Sequence, residues 1–468
     1  MSLKAFKLPT VSDKPFHDGI DPLDSRYYEP KIAKYLSERA TIAYKAYCEA
    51  ALAHTLADFK ICSTADAAKI EAAAAKVTAE EVAEEEKTTK HDVKALVNVI
   101  KKYAGRDAGR YVHFGATSYD IVSTATSLQF KTAANELIVP RAKQLLKTLV
   151  ELTERYADTP QIGRTHGQHA LPITFGFALS EYLDRLGASL AGVEELANAL
   201  KGKFSGATGS YNAISVFVDD PFEFEKAFCA KLGLEVSKSS TQIVPPDNLV
   251  RLLDELAIMA AIMANLATDM RHLQRTEIAE IREKFKAGQT GSSTMAHKRN
   301  PISFENVASL HKQVLAQQVN ANQNMVSEHQ RDLTDSASSR FYTVPVATVA
   351  VMLERLNSAM EKIEVDEKNM QLNLEMSGGA IAAEPLYLLL AKYGHTSAHE
   401  KSKDLAHKAL DSSKPLIEVI AADAEAKSYW NKFTESEKQI ITKPQKYYLG
   451  LASQKAKLIA VNWHKQIN

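Results

Sequence analysis

Eight apolar residues, Leu249, Leu252, Leu256, Met259, Met263, Leu266, Met270 and Leu273, recur at alternating spacings of three and four. That alternation keeps one stripe of a helix apolar for more than three heptads. A strand, whose side chains alternate every two residues, makes no use of it. A second stripe, Leu179, Leu183, Leu186, Leu190 and Val193, repeats at four and three. Long helices with such stripes must pack side by side, either within one subunit or in a bundle shared between subunits. The shared bundle is the expectation, because consecutive seams of this length exceed what one subunit needs.

The chain of 468 residues is too long for one simple core, so several domains, or a long helical body with end domains, are expected. Its 57 basic residues balance 57 acidic ones, and no polybasic block stands out. This argues against a dedicated nucleic-acid or anionic-membrane surface while allowing a local phosphate site. Cys48, Cys62 and Cys229 are widely spaced without metal or redox spacing. Reduced, buried thiols in a cytoplasmic protein are the expectation. Residues 1–19 read as a loose arm with neither a signal core nor a transit-peptide pattern, and no apolar run reaches membrane-span length.

Along the chain, the pattern predicts a helix over about 30–59, alanine-rich and acidic helices to about 86, and another over 93–103. These form an N-terminal helical domain, 1–113. Thr117 or Ser118 caps a helix reaching about 156 with a kink at Pro140, and Pro172 opens the next helix, to about 200. With helices over about 301–324 and 343–363, these make a central long-helix domain, 114–364. Shorter helices broken by Gly394, Pro415 and Pro444 fill a C-terminal domain, 365–468. The fold class is all-α.

Chemistry concentrates in irregular stretches. Gly291-Ser292-Ser293-Thr294-Met295-Ala296-His297-Lys298-Arg299-Asn300-Pro301 gathers hydroxyls, an imidazole, cations and an amide, then stops at a proline suited to opening a helix. Of fourteen histidines, most lie in helical patterns, whereas His91, His113 and His166 sit in polar, irregular or helix-end segments suited to proton transfer. Their spacings match no zinc pattern. Gln330-Arg331-Asp332-Leu333-Thr334-Asp335-Ser336, with Arg340, offers arginines and hydroxyls for a phosphate monoester. The same arginines would equally pair with Asp332 and Asp335 on a solvated face. Gly206 to Gly209 matches no Walker loop and follows a helix, so it reads as a tight turn.

Together these segments resemble the fumarase/aspartase superfamily, whose signature is Gly-Ser-Ser-x-Met-Pro-x-Lys-x-Asn-Pro. Within it, the chain is similar to the adenylosuccinate lyases. The likeness rests on the run from Gly291, on Ser25-Arg26-Tyr27, Thr88-Thr89-Lys90-His91-Asp92 and His113-Phe114-Gly115-Ala116-Thr117-Ser118. It rests also on Arg164-Thr165-His166-Gly167-Gln168, Ser240-Thr241-Gln242-Ile243 and the Gln330 run, all in family order. The C-terminal domain matches mainly in helical character.

The resemblance implies a homotetramer built on a central helical bundle, active sites shared between subunits, no cofactor, no metal, and a nucleotide substrate from which fumarate is eliminated. It implies that Ser292 is the base, His166 the acid, that His91 assists, and that Lys298 and Asn300 hold the succinyl carboxylates. Asp92, Thr117, Ser118, Thr165, Gln242 and Met295 would contact substrate, and Arg26, Tyr27, Arg331, Ser336 and Arg340 would cradle the phosphate. Ala296 departs from the signature proline, which should leave that loop more mobile. The rivals are another lyase of the superfamily, such as argininosuccinate lyase, whose substrate lacks a phosphate, and a catalytically silent scaffold of the same fold.

Overall fold

The computed structural model describes residues 7, 8, 10–13, 18–284, 294, 295 and 297–467. In place of one helix over 30–59 there are two, α1 (Pro30–Leu36) and α2 (Glu38–Asp58). Ser37 is extended, and its hydroxyl accepts the Ala40 amide, so it caps a new helix instead of continuing the old one. Helices α3 (Thr64–Ala74), α4 (Ala79–Thr89) and α5 (Asp92–Gly109) are capped by Ser63, Thr78 and His91.

Helices α6 (Ser118–Ala133) and α7 (Val139–Arg155) are joined by one π-helical turn, Ala134–Ile138. The disruption expected at Pro140 is therefore taken up just before it. Proline lacks the N–H for the carbonyl four residues back, and a wider turn relieves the clash of its ring.

The largest departure from expectation is a β-hairpin, β1 (Pro160–Thr165) and β2 (Gln168–Thr174), bulged at Gly163. A Cβ at Gly163 would stand 2.8 Å from the Leu171 carbonyl oxygen, so the close approach requires glycine. Pro172, expected to open a helix, lies in β2, and α8 (Phe175–Asn198) begins beyond it.

The glycine-rich stretch at Gly206 follows a strand, β3 (Lys201–Gly202), rather than a helix. After α9 (Pro221–Lys231), the parallel partner of β3 is β4 (Glu235–Val236). The seam lies in α10 (Asp247–Leu273). Then come β5 (Ile281–Arg282), α11 (Ile302–Gln323), α12 (Thr343–Met360), β6 (Glu364–Val365), which pairs with β5, and α13 (Glu367–Glu375). The C-terminal helices are α14 (Ala383–Lys392), α15 (Ala398–Ser412), α16 (Leu416–Ala422), α17 (Ala424–Trp430), α18 (Glu435–Thr442), α19 (Pro444–Tyr447) and α20 (Ala452–Ile467). Helices thus dominate, and the described strands form three two-stranded sheets.

The chain packs as two compact units. The first comprises Met1–Ala142, Ser189–Ala261 and Ser309–Glu354. Its core joins Leu52 and Leu56 of α2, Ile70 of α3, Leu96 and Ile100 of α5 and Ile121 of α6 to Phe204, Phe224 and Phe228. The Phe204 ring lies 5.1 and 5.3 Å from those of Phe224 and Phe228. Each such side chain contributes about 1.5–3 kcal/mol on burial.

The second unit comprises Lys143–Ala188, Ile262–Ala308 and Arg355–Asn468. Leu386, Leu390, Leu405, Leu416, Ile420 and Phe433 form one of its cores. Trp463 of α20 lies against Gly187 of α8, where a Cβ would meet its ring at 2.4 Å. The indole N–H donates to Asp184 Oδ1 at 2.9 Å.

All but the two ends of the α10 seam, the half-buried Leu249 and Leu273, is used up inside the chain. Leu252, Leu256, Met259, Met263, Leu266 and Met270 are at most 3% exposed, and Leu179, Leu183, Leu186, Leu190 and Val193 of α8 are likewise buried. The stripes therefore do not themselves call for a partner subunit, contrary to the sequence argument. The apolar residues left exposed on the long helices lie outside these stripes, among them Ile258 of α10 and Leu315 and Val319 of α11.

Candidate active site

In the first unit, the left-handed Lys90 ends α4 and His91 caps α5. The His91 Nδ1 accepts the Lys94 amide at 3.3 Å. In the neutral ring this puts the proton on Nε2, which lies 3.5 Å from Ser118 Oγ. Asp92 binds Lys45 Nζ at 2.7 Å. Burial alone would raise the Asp92 carboxyl, but the Lys45 ammonium and the start of α5 more than offset it and hold it below its ordinary range.

Thr117 caps α6, and its amide donates to Asp120 Oδ2 at 2.8 Å. The next residue after Ser118, Tyr119, receives Arg331 Nη2 at 2.7 Å, and Arg331 also pairs with Asp335 at 2.8 Å. The Arg331 side chain is only 7% exposed. Of the internal pairing weighed from the sequence, the Arg331–Asp335 pair is present, though largely buried rather than on a solvated face, while Asp332 accepts the Glu328 and Thr334 amides instead. The Gln242 backbone N–H donates to the Gln330 backbone carbonyl at 3.3 Å. His91, Asp92, Thr117, Ser118, Gln242 and Arg331 are thereby linked within one unit. Ser336 and Arg340 lie in the turns following Arg331, and Arg26 and Tyr27 follow a 3-10 turn, Pro22–Asp24. The side chains of Arg26, Ser336 and Arg340 are exposed.

In the second unit, Thr165 and His166 stand exposed at the tip of the β1–β2 hairpin. Thr165 pairs with Gln168, leaving a two-residue turn, His166-Gly167, with φ of 55° and 74°. Two successive positive φ values suit the right-handed twist of a hairpin. A histidine there carries backbone strain of about 1–2 kcal/mol, which the strands must hold. They are held at Arg164, whose guanidinium grips Glu280 at 2.5 and 3.3 Å. Glu280 is fully buried and also accepts Gln161 Nε2 at 2.7 Å and Asn373 Nδ2 at 2.8 Å. On the same hairpin, burial and the Arg164 charge push the His169 imidazole below its ordinary value.

The signature run is described in part. Gly291, Ser292, Ser293 and Ala296 lie outside the described residues. Met295 and Lys298 are exposed, and the Lys298 amide donates to the Met295 carbonyl at 3.0 Å. The Asn300 backbone carbonyl accepts the Ile302 N–H at 2.9 Å. A single side-chain amide, Gln274, binds the chain ahead of the run and near the run's C-terminal end: its Oε1 accepts the Glu283 N–H at 2.9 Å, and its Nε2 donates to the Arg299 carbonyl at 3.0 Å. Glu283 also accepts the amide and hydroxyl of Ser303 at 3.0 and 2.6 Å. A carboxylate therefore already sits on the first turn of α11, where the helix dipole favours negative charge.

Sequence reasoning missed Lys45, Tyr119, Gln274, Glu280 and Glu283. Only Tyr119 carried a local signal, its place beside Ser118. Among the described residues, no group of three or more His, Cys, Asp or Glu is arranged to hold a metal. Likewise, no described helix is long and apolar enough to cross a membrane.

Comparison with known proteins decides the family. The profile described as Lyase matches residues 24–316, and the one described as Adenylosuccinate lyase C-terminal matches 327–440. Adenylosuccinate lyase of Archaeoglobus fulgidus is 34% identical over 452 residues, 96% of this chain and 99% of that protein. The chain belongs to the adenylosuccinate lyase family. The family's enzyme from Methanocaldococcus jannaschii is also 34% identical, over 93% of this chain and 94% of its own. The match over 327–440 goes beyond the helical character that the sequence offered there.

Solved structures agree on the fold. A fumarate lyase from Mesorhizobium sp. BNC1 superposes with TM-score 0.83 at 25% identity, over 93% of this chain and 98% of that one. The 3-carboxy-cis,cis-muconate lactonizing enzyme from Pseudomonas putida gives 0.84 at 27%, over 96% and 100%.

Proposed function

We propose that this protein eliminates fumarate from adenylosuccinate, giving AMP, and from the succinocarboxamide ribotide SAICAR, giving AICAR. The observation that carries the reading is the match to adenylosuccinate lyases along nearly the whole chain, with a C-terminal profile specific to that family. Ser292 removes the proton from the succinyl carbon beside a carboxylate. Lys298 and Asn300 hold the carboxylates as negative charge builds on them. His166 protonates the nitrogen as its bond to carbon breaks, and exposure at a turn tip leaves its ring open to substrate. His91, with its donor nitrogen toward Ser118, orients substrate and assists the acid.

Asp92, Thr117, Ser118, Thr165, Gln242 and Met295 contact the substrate, and Arg26, Tyr27, Arg331, Ser336 and Arg340 receive its phosphate. Arg331 takes part by sharing donors with Asp335 and Tyr119. The reaction needs no cofactor and no metal, because proton transfer and charge stabilisation suffice.

The protein works as a cytoplasmic homotetramer with shared sites and three helical domains, 1–113, 114–364 and 365–468. Support for self-association comes from exposed Ile258, Leu315 and Val319, on helices that Asn322 and Asp254 tie together at 2.8 Å. The test is phosphate dependence. With succinyladenosine, which lacks the phosphate, kcat/KM should fall at least about 100-fold, the worth of two charge-assisted hydrogen bonds. Equal efficiency on both substrates would refute the nucleotide reading.

A further inference from the structure

The substrate-facing stretches of the first unit are joined by hydrogen bonds into a closed ring. From Tyr119 it passes to Arg331, and from Gln330 to Gln242. Two residues earlier, Ser240 Oγ lies 2.7 Å from Ser205 Oγ. The Ser205 amide donates to Asp120 Oδ1 at 3.1 Å, and Asp120 Oδ2 accepts the Thr117 amide, which returns the ring to the start of α6.

At its centre stand Asp120 and Lys203, both fully buried and ion-paired. Lys203 Nζ also donates to the Gly206 carbonyl at 3.2 Å, and the Gly206 amide donates to Asp120 Oδ1 at 3.1 Å. No step of the elimination uses this cation. An ion pair withdrawn from water is costly to bury, so its return must lie in what it holds in place. A second buried carboxylate, Glu225, accepts the Phe204 amide at 2.7 Å and the Tyr211 hydroxyl at 2.5 Å. Both ends of the loop 203–211 are therefore fixed. Near its tip, Gly209 has φ +79°, and a Cβ there would stand 2.0 Å from the Ser240 carbonyl oxygen. The loop presses directly on the stretch that carries Gln242.

We propose that loop 203–211, anchored by the Asp120–Lys203 pair, is a rigid spacer between Thr117–Ser118 and Gln242, so that Asp120, Lys203 and Gly209 are positioning residues for the substrate. This rests on the reading that Thr117, Ser118 and Gln242 contact it.

Gly209 and Gly233 supply a matched test. Both have left-handed backbones, φ +79° and +67°, but nothing lies within 4 Å of a Cβ at Gly233. Gly209→Ala and Gly233→Ala share the backbone penalty and differ in the push on Ser240. Gly209→Ala should lower kcat/KM for adenylosuccinate at least about tenfold, mainly through KM, with Gly233→Ala within about twofold of the parent. In a Gln242→Ala background, Gly209→Ala should cost less than about twofold more, because the contact it displaces is gone.

Identical kinetics for the two glycine variants would overturn the proposal. If Gln242→Ala is impaired but Gly209→Ala costs the same factor in both backgrounds, the substrate-contact reading stands and the spacer falls. If Gln242→Ala is indistinguishable from the parent, that reading fails and takes the spacer with it. Should Gly209→Ala not fold, Asp120→Asn, which keeps the shape but loosens both sides of the spacer, is expected to raise KM for adenylosuccinate at least about tenfold in the parent and to keep part of that cost in the Gln242→Ala background through Thr117, and an unchanged KM would overturn the proposal.

Discussion

Glu280 holds the hairpin that carries His166, and the isosteric change Glu280→Gln tests that support. The parent carboxylate accepts from Gln161, Asn373 and both terminal nitrogens of Arg164 while fully buried. Glutamine keeps one acceptor oxygen but turns a donor toward groups that are themselves donors. Removing one member of a buried pair costs about 3–5 kcal/mol, and each unsatisfied amide about 1–3 kcal/mol. Arg164 is 17% exposed and keeps some water contact, and glutamine preserves part of the bonding, so about 2–3 kcal/mol is expected.

The loosened strands would then no longer impose the left-handed turn at His166, whose relaxation moves the imidazole. Urea unfolding at fixed protein concentration reads the stability, and fumarate release reads the rate. We expect the lower stability together with a fall in kcat of about tenfold or more, KM changing less. A variant with the parent's unfolding midpoint and kcat would refute the reasoning.

Three further outcomes are expected. Ser292→Ala should abolish turnover while still binding adenylosuccinate in calorimetry, and near-normal turnover would remove Ser292 as the base. Arg331→Ala should weaken AMP binding by about 1.5–3 kcal/mol, the worth of a charge-assisted contact, and unchanged affinity would take Arg331 out of the phosphate cradle. The third concerns Asp92, whose folded carboxyl lies below its ordinary range. Between that lowered value and about 3.9 the unfolded chain binds more protons, so the contribution of this group is complete above the window and lost as pH falls through it. Unfolding midpoints from pH ~5 to ~2.5 should therefore drop more steeply for the parent than for Asp92→Asn, and parallel curves would contradict the pairing with Lys45.

What was legible in the sequence was what local rules decide. The α10 stripe declared a helix because eight apolar residues kept its period, and Thr117 declared a cap because its short polar side chain opens a helical pattern. The β1–β2 hairpin was illegible because its turn is His-Gly rather than Asn-Gly, and Pro172 reads locally as a helix opener. Ser37 hid inside a helical composition although its hydroxyl ends one helix and starts another. Asp120 and Lys203 look like surface charges in sequence, since their burial depends on partners 83 residues apart. Glu280 and Gln274 escaped for the same reason: their meaning lies in which distant strands and loop ends they join.

The most direct test of the central claim is a product-resolved assay of the purified protein on adenylosuccinate. AMP and fumarate are followed together by proton NMR, with no added metal or cofactor. The account predicts their appearance in equal amounts, matching the adenylosuccinate consumed. Absence of turnover, or fumarate released only from a succinyl substrate that carries no phosphate, would contradict it.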